Sequence, residues 1–255
     1  MNSTLSQLRA DPSLAALRRS LEVYYGHPER DAAMDRLYRR FVETGDIAFD
    51  VGSHVGDRIG SFRRLGARVV ALEPQPDCAH AIRALYGSDG MVTLVEAACG
   101  PQAGSLTLHV NSANPTVTTA SRAFLDAADG ADGWQGQVWD RKIDVPVTTL
   151  DALIAAHGVP AFVKIDVEGF EADVLAGLSM RVAALSFEFT TIQRDVALAC
   201  LELLGRLGPY GYDIALGEGQ ALTFERWVTH DEMATHIAGL PHEANSGDVY
   251  ALLQD

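Results

Sequence analysis

Basic residues are in short supply in this chain. Twenty Lys and Arg stand against 34 Asp and Glu, leaving a formal net charge of −14. A surface of that sign repels phosphate backbones and anionic headgroups, so neither nucleic acid nor membrane is expected as a partner. Cysteine is scarce too. Cys78, Cys99 and Cys200 lie far apart and make no C-x-x-C pair. That argues against a structural zinc site and for reduced, buried thiols in a cytoplasmic protein. No hydrophobic run approaches the roughly 20 residues of a membrane span. The stretch MNSTLSQLRADPSLAALRRS holds no continuous apolar segment of signal-peptide length. His109, His230, His236 and His242 fall into no H-x-x-x-H or H-E-x-x-H spacing and read as surface residues. What is present is an ordinary globular composition, 47% hydrophobic and 21% charged over 255 residues. That length suffices for one large α/β domain or two small ones.

Residues 1–45 are helical in pattern. Leu5, Leu8, Leu14 and Leu17 recur at helical spacing around a break at Pro12. Met34, Leu37, Tyr38 and Phe41 share one face of DAAMDRLYRRF. A helical cap is expected there, on a domain that fills 46–255. Apolar runs then alternate with helical segments: IAFDVG (47–52), RVVALEP (68–74), MVTLVEAA (91–98), AFVKIDVEG (161–169), VAALSFEFT (182–190), YDIALG (212–217) and DVYALL (248–253). That rhythm predicts an α/β fold, a parallel sheet with helices on both faces. No strong helix joins the last two runs, which leaves the final strand open to an antiparallel setting. Residues 105–147 break the rhythm. SLTLHV and KIDVPV alternate and are expected to pair as antiparallel strands. The segment between them, with Trp134 and Trp139, reads either as a surface loop or as a substrate-covering flap.

Ligands of such sheets lie at the carboxyl ends of the strands. In FDVGSHVGD the glycines are Gly52 and Gly56, with Ser53, His54 and Val55 between them. A dinucleotide loop needs G-x-G-x-x-G so that backbone can approach a pyrophosphate. Here side chains fill that space. Asp50 before the loop repels a pyrophosphate and attracts an ammonium group. Glu73 ends the second strand, where a carboxylate can accept both ribose hydroxyls. Pro74 and the turn at Glu96 and Ala97 border the space for a base. The implied ligand has an amino group, a ribose and a base but no phosphate, which describes S-adenosylmethionine.

The stretches FDVGSHVGD, VVALEPQP, LVEAACG and TTLDALI, followed by FVKIDVEGFEADVLAGL and SFEFT, resemble the FkbM family of S-adenosylmethionine-dependent methyltransferases. The likeness runs over about residues 45–192. It implies a Rossmann-like class I methyltransferase fold: a seven-stranded, mostly parallel sheet with the last strand antiparallel. It also implies methyl transfer, often to a hydroxyl of a sugar, polyketide or other secondary metabolite. Carried over, Asp50, Gly52 and Gly56 line the methionine end, Glu73 holds the ribose, and Glu96 and Ala97 lie near the adenine. Asp166 and Glu168 stand at the methyl-transfer end. Where many members carry Asn, this chain has His54.

A hydroxyl acceptor needs a base or a metal ion to remove its proton. Asp166 is the first candidate base. Asp166, Glu168 and Glu188 together form a candidate oxygen-ligand site for Mg²⁺ or another divalent cation. Each also has a plainer reading: Asp166 as an anchor for the methionine amine, Glu168 as an acid favoured by a helix dipole, Glu188 as a structural acceptor. Lys164 is expected to pair with Asp166. His54 either donates to the cofactor, acts as a base, or contributes only its backbone. The leading expectation is an O-methyltransferase with a small-molecule acceptor, and a homo-oligomer is compatible with it. An N-methyltransferase, a scaffold that keeps only the fold, and a nicotinamide oxidoreductase are the alternatives.

Overall fold

The computed structural model describes residues 2–224 and 226–254. The strands are β1 (Ile47–Val51), β2 (Arg68–Leu72), β3 (Val92–Val95), β4 (Ala98–Cys99), β5 (Gly104–Val110), β6 (Arg141–Thr148), β7 (Phe162–Ile165), β8 (Ala184–Thr190), β9 (Tyr210–Leu216) and β10 (Ser246–Leu253). The α-helices are α1 (Asn2–Ala10), α2 (Arg18–Tyr24), α3 (Pro28–Tyr38), α4 (Asp57–Arg64), α5 (Pro76–Tyr86), α6 (Arg122–Ala128), α7 (Leu150–His157), α8 (Glu171–Ala176), α9 (Arg194–Leu207) and α10 (His230–Gly239). Among the described residues no helix is long and apolar enough to cross a membrane.

Seven strands form one sheet in the order β3-β2-β1-β7-β8-β10-β9. Five of them run parallel, and β10 lies antiparallel between β8 and β9. The apolar runs explain this. β1, β2 and β7 are buried on both faces, so both faces must be covered by helices. Leu153, Val174, Leu201, Leu204, Met233 and Ile237 cover one face from α7 to α10. Met34, Tyr38, Ile59, Phe62 and Ile82 cover the other from α3, α4 and α5. Each such side chain contributes about 1.5–3 kcal/mol by leaving water. The chain lays β2 and β3 on one side of β1 and later returns with β7 on the other. That reversal opens a crevice at the carboxyl ends of β1 and β7.

The first helices form a separate apolar cluster. Leu5, Leu8, Leu14, Leu17 and Leu21 pack against Val55, Cys78 and Ala81. They therefore cover the loop after β1 and the start of α5. The strand predicted over 91–98 is shorter than expected. A tight turn, with the Ala97 N–H on the Val95 carbonyl at 3.0 Å, ends β3. Ala98 and Cys99 then leave for a second sheet, β4-β6-β5, in which β5 and β6 pair antiparallel.

Candidate active site

The crevice holds a cavity with about 920 Å³ of empty space, open to solvent. Its floor is the end of β1. Asp50 is 1% exposed, and its Oδ2 has no hydrogen-bond partner. Burial, and next the charge of Asp57, pushes its carboxyl up to about 7. Ser53 also lines the cavity and donates to the Asp50 carbonyl at 2.8 Å. Gly52 lines it too, but a neighbouring strand dictates the glycine. Its φ is 85°, and a Cβ would lie 1.8 Å from the Asp166 carbonyl oxygen. Gly56, expected at the methionine end, is not part of the lining. It starts α4 at φ 86°, and a Cβ there would press on Ile59, Ile82 and Tyr86 at 3.1–3.3 Å. Helix packing, not ligand contact, is its requirement.

Glu73 is 2% exposed at the end of β2. Its Oε2 accepts from the His54 N–H at 2.7 Å and its Oε1 from the Gln75 N–H at 2.8 Å. Burial pushes it up to about 8 against those two donors. One backbone donor per oxygen fixes the carboxylate and leaves each oxygen a second acceptor position. Pro74 and Ala97 line the adjoining wall. Glu96 does not: its side chain points outward, 52% exposed, and pairs with Arg83 at 2.5 Å. The tight turn that closes β3 aims it at solvent. His54 takes a left-handed backbone at φ 48°. Its Nδ1 is 3.5 Å from Cys78 Sγ and its Nε2 3.4 Å from Thr116 Oγ1. Burial pushes the imidazole down to about 4, so it is neutral at physiological pH and poorly suited to take a proton.

At the end of β7, one oxygen from each of Asp166, Glu168 and Glu188 lies within 4.8 Å of the others. Residues i and i+2 converge here because Glu168 adopts φ 55°. A left-handed non-glycine residue costs roughly 1–3 kcal/mol and persists only when its surroundings enforce it. Thr119 Oγ1 donates to the Glu168 carbonyl at 2.6 Å, and Glu171 Oε1 accepts from the N–H groups of Val167 and Gly169 at 3.0 and 3.3 Å. Lys164, 1% exposed, reaches Asp166 Oδ2 at 3.0 Å and Asp248 Oδ1 at 2.7 Å. Burial favours the neutral Asp166, but Lys164 and then Arg58 outweigh it and hold the carboxyl below its usual range. Glu168 and Glu188 move the other way, raised by burial and next by Asp166. Two unit charges 4 Å apart repel by about 4 kcal/mol near a protein surface. Three ionised carboxylates therefore need a cation among them; otherwise the cluster keeps a proton. Asp166, expected as the base, is instead the acid most firmly ionised and the weakest proton acceptor of the three.

Several lining residues carried no visible mark in the sequence. Tyr24 of α2, Arg58 of α4 and Glu218 beyond β9 reach the cavity from three separate elements. Thr116, Thr118 and Ala120 come from the 105–147 excursion. Gln75 fastens that excursion, donating to the Pro115 carbonyl at 3.2 Å and accepting from Thr118 Oγ1 at 2.9 Å. Trp134 and Trp139 do not face the cavity. Both rings stand edge-on to the buried Phe124, and Trp139 Nε1 donates to the Val117 carbonyl at 2.8 Å. They brace the covering segment from behind.

Residues 50–214 match a family model described as the methyltransferase FkbM domain. Among solved structures, the chain is similar to an O-methyltransferase from Bacillus cereus in complex with SAH, at 11% identity over 99% of this chain and 91% of that one, TM-score 0.47. It is similar to an O-methyltransferase from Streptomyces achromogenes involved in tomaymycin synthesis, in complex with SAM, at 13% identity over 99% and 90%, TM-score 0.44. A third is precorrin-6y C5,15-methyltransferase from Geobacter metallireducens, at 14% identity over 88% and 87%, TM-score 0.43. No curated protein matches the chain.

Proposed function

The chain belongs to the FkbM methyltransferase family, and we propose that it methylates a hydroxyl oxygen of a small molecule such as a sugar, a polyketide or another secondary metabolite. The observation that carries this reading is one cavity with two kinds of acid. Asp50 and Glu73 are buried with acceptor positions to spare, and they lead to the convergent carboxylates beyond β7. The first pair fits S-adenosylmethionine: the unpartnered Asp50 oxygen suits a cationic head and Glu73 suits a ribose diol. When bound, S-adenosylmethionine supplies an electrophilic methyl group on a sulfonium.

The protein's task is to align the acceptor oxygen and take its proton. Glu168 is assigned the proton, because in its ionised state it has a higher proton affinity than Asp166. Asp166, kept charged by Lys164, orients the acceptor hydroxyl. Glu188 completes the cluster from β8. The same three oxygen donors would suit Mg²⁺ or another hard divalent cation, which supplies charge that lowers the pKa of a hydroxyl. The strand ends and the segment carrying Thr116 and Thr118 keep the site half closed from water.

Calorimetry and transfer of a labelled methyl group test this reading together. Saturable binding of S-adenosylmethionine and none of NAD is expected, with label in alkali-stable ethers across a panel of hydroxylated acceptors. NAD binding, or label on amines alone, sinks it. Loss of transfer on chelation, restored by Mg²⁺ in the parent but not in Glu188→Gln, supports a cation at the cluster; unchanged transfer on chelation speaks against one.

A further inference from the structure

S-adenosylmethionine ends in an α-amino acid, and its carboxylate must enter a cavity rich in acids. Asp50, Asp57, Glu73, Asp166, Glu168 and Glu218 all line it. Among the described residues only Arg58 and Lys164 bring a lasting positive charge to the lining, since His54 is neutral. Lys164 is committed, its ammonium lying between Asp166 and Asp248 at 3.0 and 2.7 Å. Arg58 is not. It is 9% exposed, in the first turn of α4, and its Nε has no partner at all. Its NH1 holds Asp57 at 2.5 Å, while NH2 reaches Glu218 only at 3.5 Å. Glu218 is better served by Arg30, at 2.9 Å, and Arg30 also holds Asp57 at 2.8 Å. The Nε and NH2 edge of the Arg58 fork is therefore the unsatisfied face, and that pair matches a carboxylate bidentately. Asp50 lies close enough for Arg58 to lower its proton affinity, and its Oδ2 is unpartnered. Asp50 and Arg58 both line the one cavity, so a zwitterionic ligand end meets an acid and a guanidinium there.

Resting on the methyltransferase reading, we infer that Arg58 binds the carboxylate of the cofactor's amino acid end and that Asp50 takes the adjoining ammonium. The N-terminus of α4 adds its partial positive charge at the same place. Glu218 is then a competitor for Arg58, and Arg30 is the residue that draws it away. Through Arg30, which also lies 4.9 Å above the Tyr24 ring, the contact ties the N-terminal helices to the cofactor's charged end.

Three probes separate this from a structural role: S-adenosylmethionine, its decarboxylated analogue, and 5′-methylthioadenosine, which lacks the whole amino acid end. In calorimetry the parent chain should prefer S-adenosylmethionine over the decarboxylated analogue by about 30-fold or more, as for a buried charge pair. In Arg58→Gln that preference should fall to within about threefold, with 5′-methylthioadenosine bound as in the parent. A variant that keeps the parent's preference overturns the inference. Should Arg58→Gln not fold, Glu218→Gln decides, because Glu218 is half exposed. It should tighten S-adenosylmethionine and leave the decarboxylated analogue unchanged; an equal response to both overturns the assignment. A parent chain that binds none of the three probes instead defeats the cofactor reading itself.

Discussion

Glu73 and the pair Asp166 and Glu168 are carboxylates beyond strand ends on one cavity, with Glu188 joining the latter pair from within β8 and outside the cavity lining, yet the two groups are held in opposite ways. Glu73 has a backbone donor on each oxygen. The cluster has one lysine for its three acids, shared with Asp248, and a left-handed backbone at Glu168. A fixed, hydrogen-bonded acid can read a ligand without reorganising, as preorganised binding requires. Acids crowded without enough counter-charge change their proton content with what binds beside them. On the proposed function, one end of the cavity recognises the cofactor and the other exchanges a proton with the acceptor.

The largest effect should come from the proton-exchanging end. Glu168→Gln is expected to lower kcat about 10²–10⁴-fold, as loss of a general base does, with cofactor affinity within a few-fold of the parent. Turnover at the parent rate would erase the distinction between the two ends. Glu73→Ala should do the reverse, weakening the cofactor by roughly 10–150-fold, the loss of hydrogen bonds to a charged group. Calorimetry reads this, and circular dichroism checks that the fold survives. A loss of kcat with unchanged affinity would move Glu73 to the chemical end.

The smallest effect is in pH. Folding raises Asp50 from 3.8 to about 7 and Glu73 from 4.5 to about 8. Asp50 faces Asp57, Arg58 and Lys164, and a cationic ligand needs it ionised. Cofactor affinity should therefore rise with pH until Glu73 as well as Asp50 is ionised, levelling off above about 8, by at most tenfold per unit for each acid. In the unliganded chain the sign is opposite. The folded state keeps protons that the unfolded chain has released, so stability should decline as pH rises from about 4 to about 8. Denaturant titrations check it above pH 6.5, where the opposing contribution of His54, lowered from 6.5 to about 4, has ended; stability rising from there to about pH 8 would mean that neither acid is raised.

Much of the fold is visible in single stretches. IAFDV, RVVAL and FVKI are apolar at every position but Asp50, Lys164 and the leading Arg68, which only a strand buried on both faces tolerates. Glu73 and Asp50 are legible by the same route, as acids ending such runs. The pairing of SLTLHV with KIDVPV was likewise visible in their alternation. Other roles were hidden because they depend on neighbours distant in sequence. Gly56 looks like a ligand-loop glycine but answers to Ile82 and Tyr86 on α5. Glu96 resembles the other strand-end acids, but it sits at the centre of the turn from Val95 to Ala97 and faces outward. Trp134 and Trp139 read from sequence as either loop or flap residues, and they pack on Phe124. Glu171 lies inside a motif read for its helix, yet it pins the loop that turns Glu168.

Sequence alone determined the alternation of strands and helices, the glycine loop without pyrophosphate spacing, and the acids that end the strands, because hydrophobic period and residue chemistry are local properties. Only the tertiary structure decided which of those acids meet, which of them burial pushes up, and that Arg58 keeps an unpartnered Nε. Charge balance in a cavity is summed over elements far apart in the chain, and the distance between two carboxylates exists only once the sheet has placed their strands.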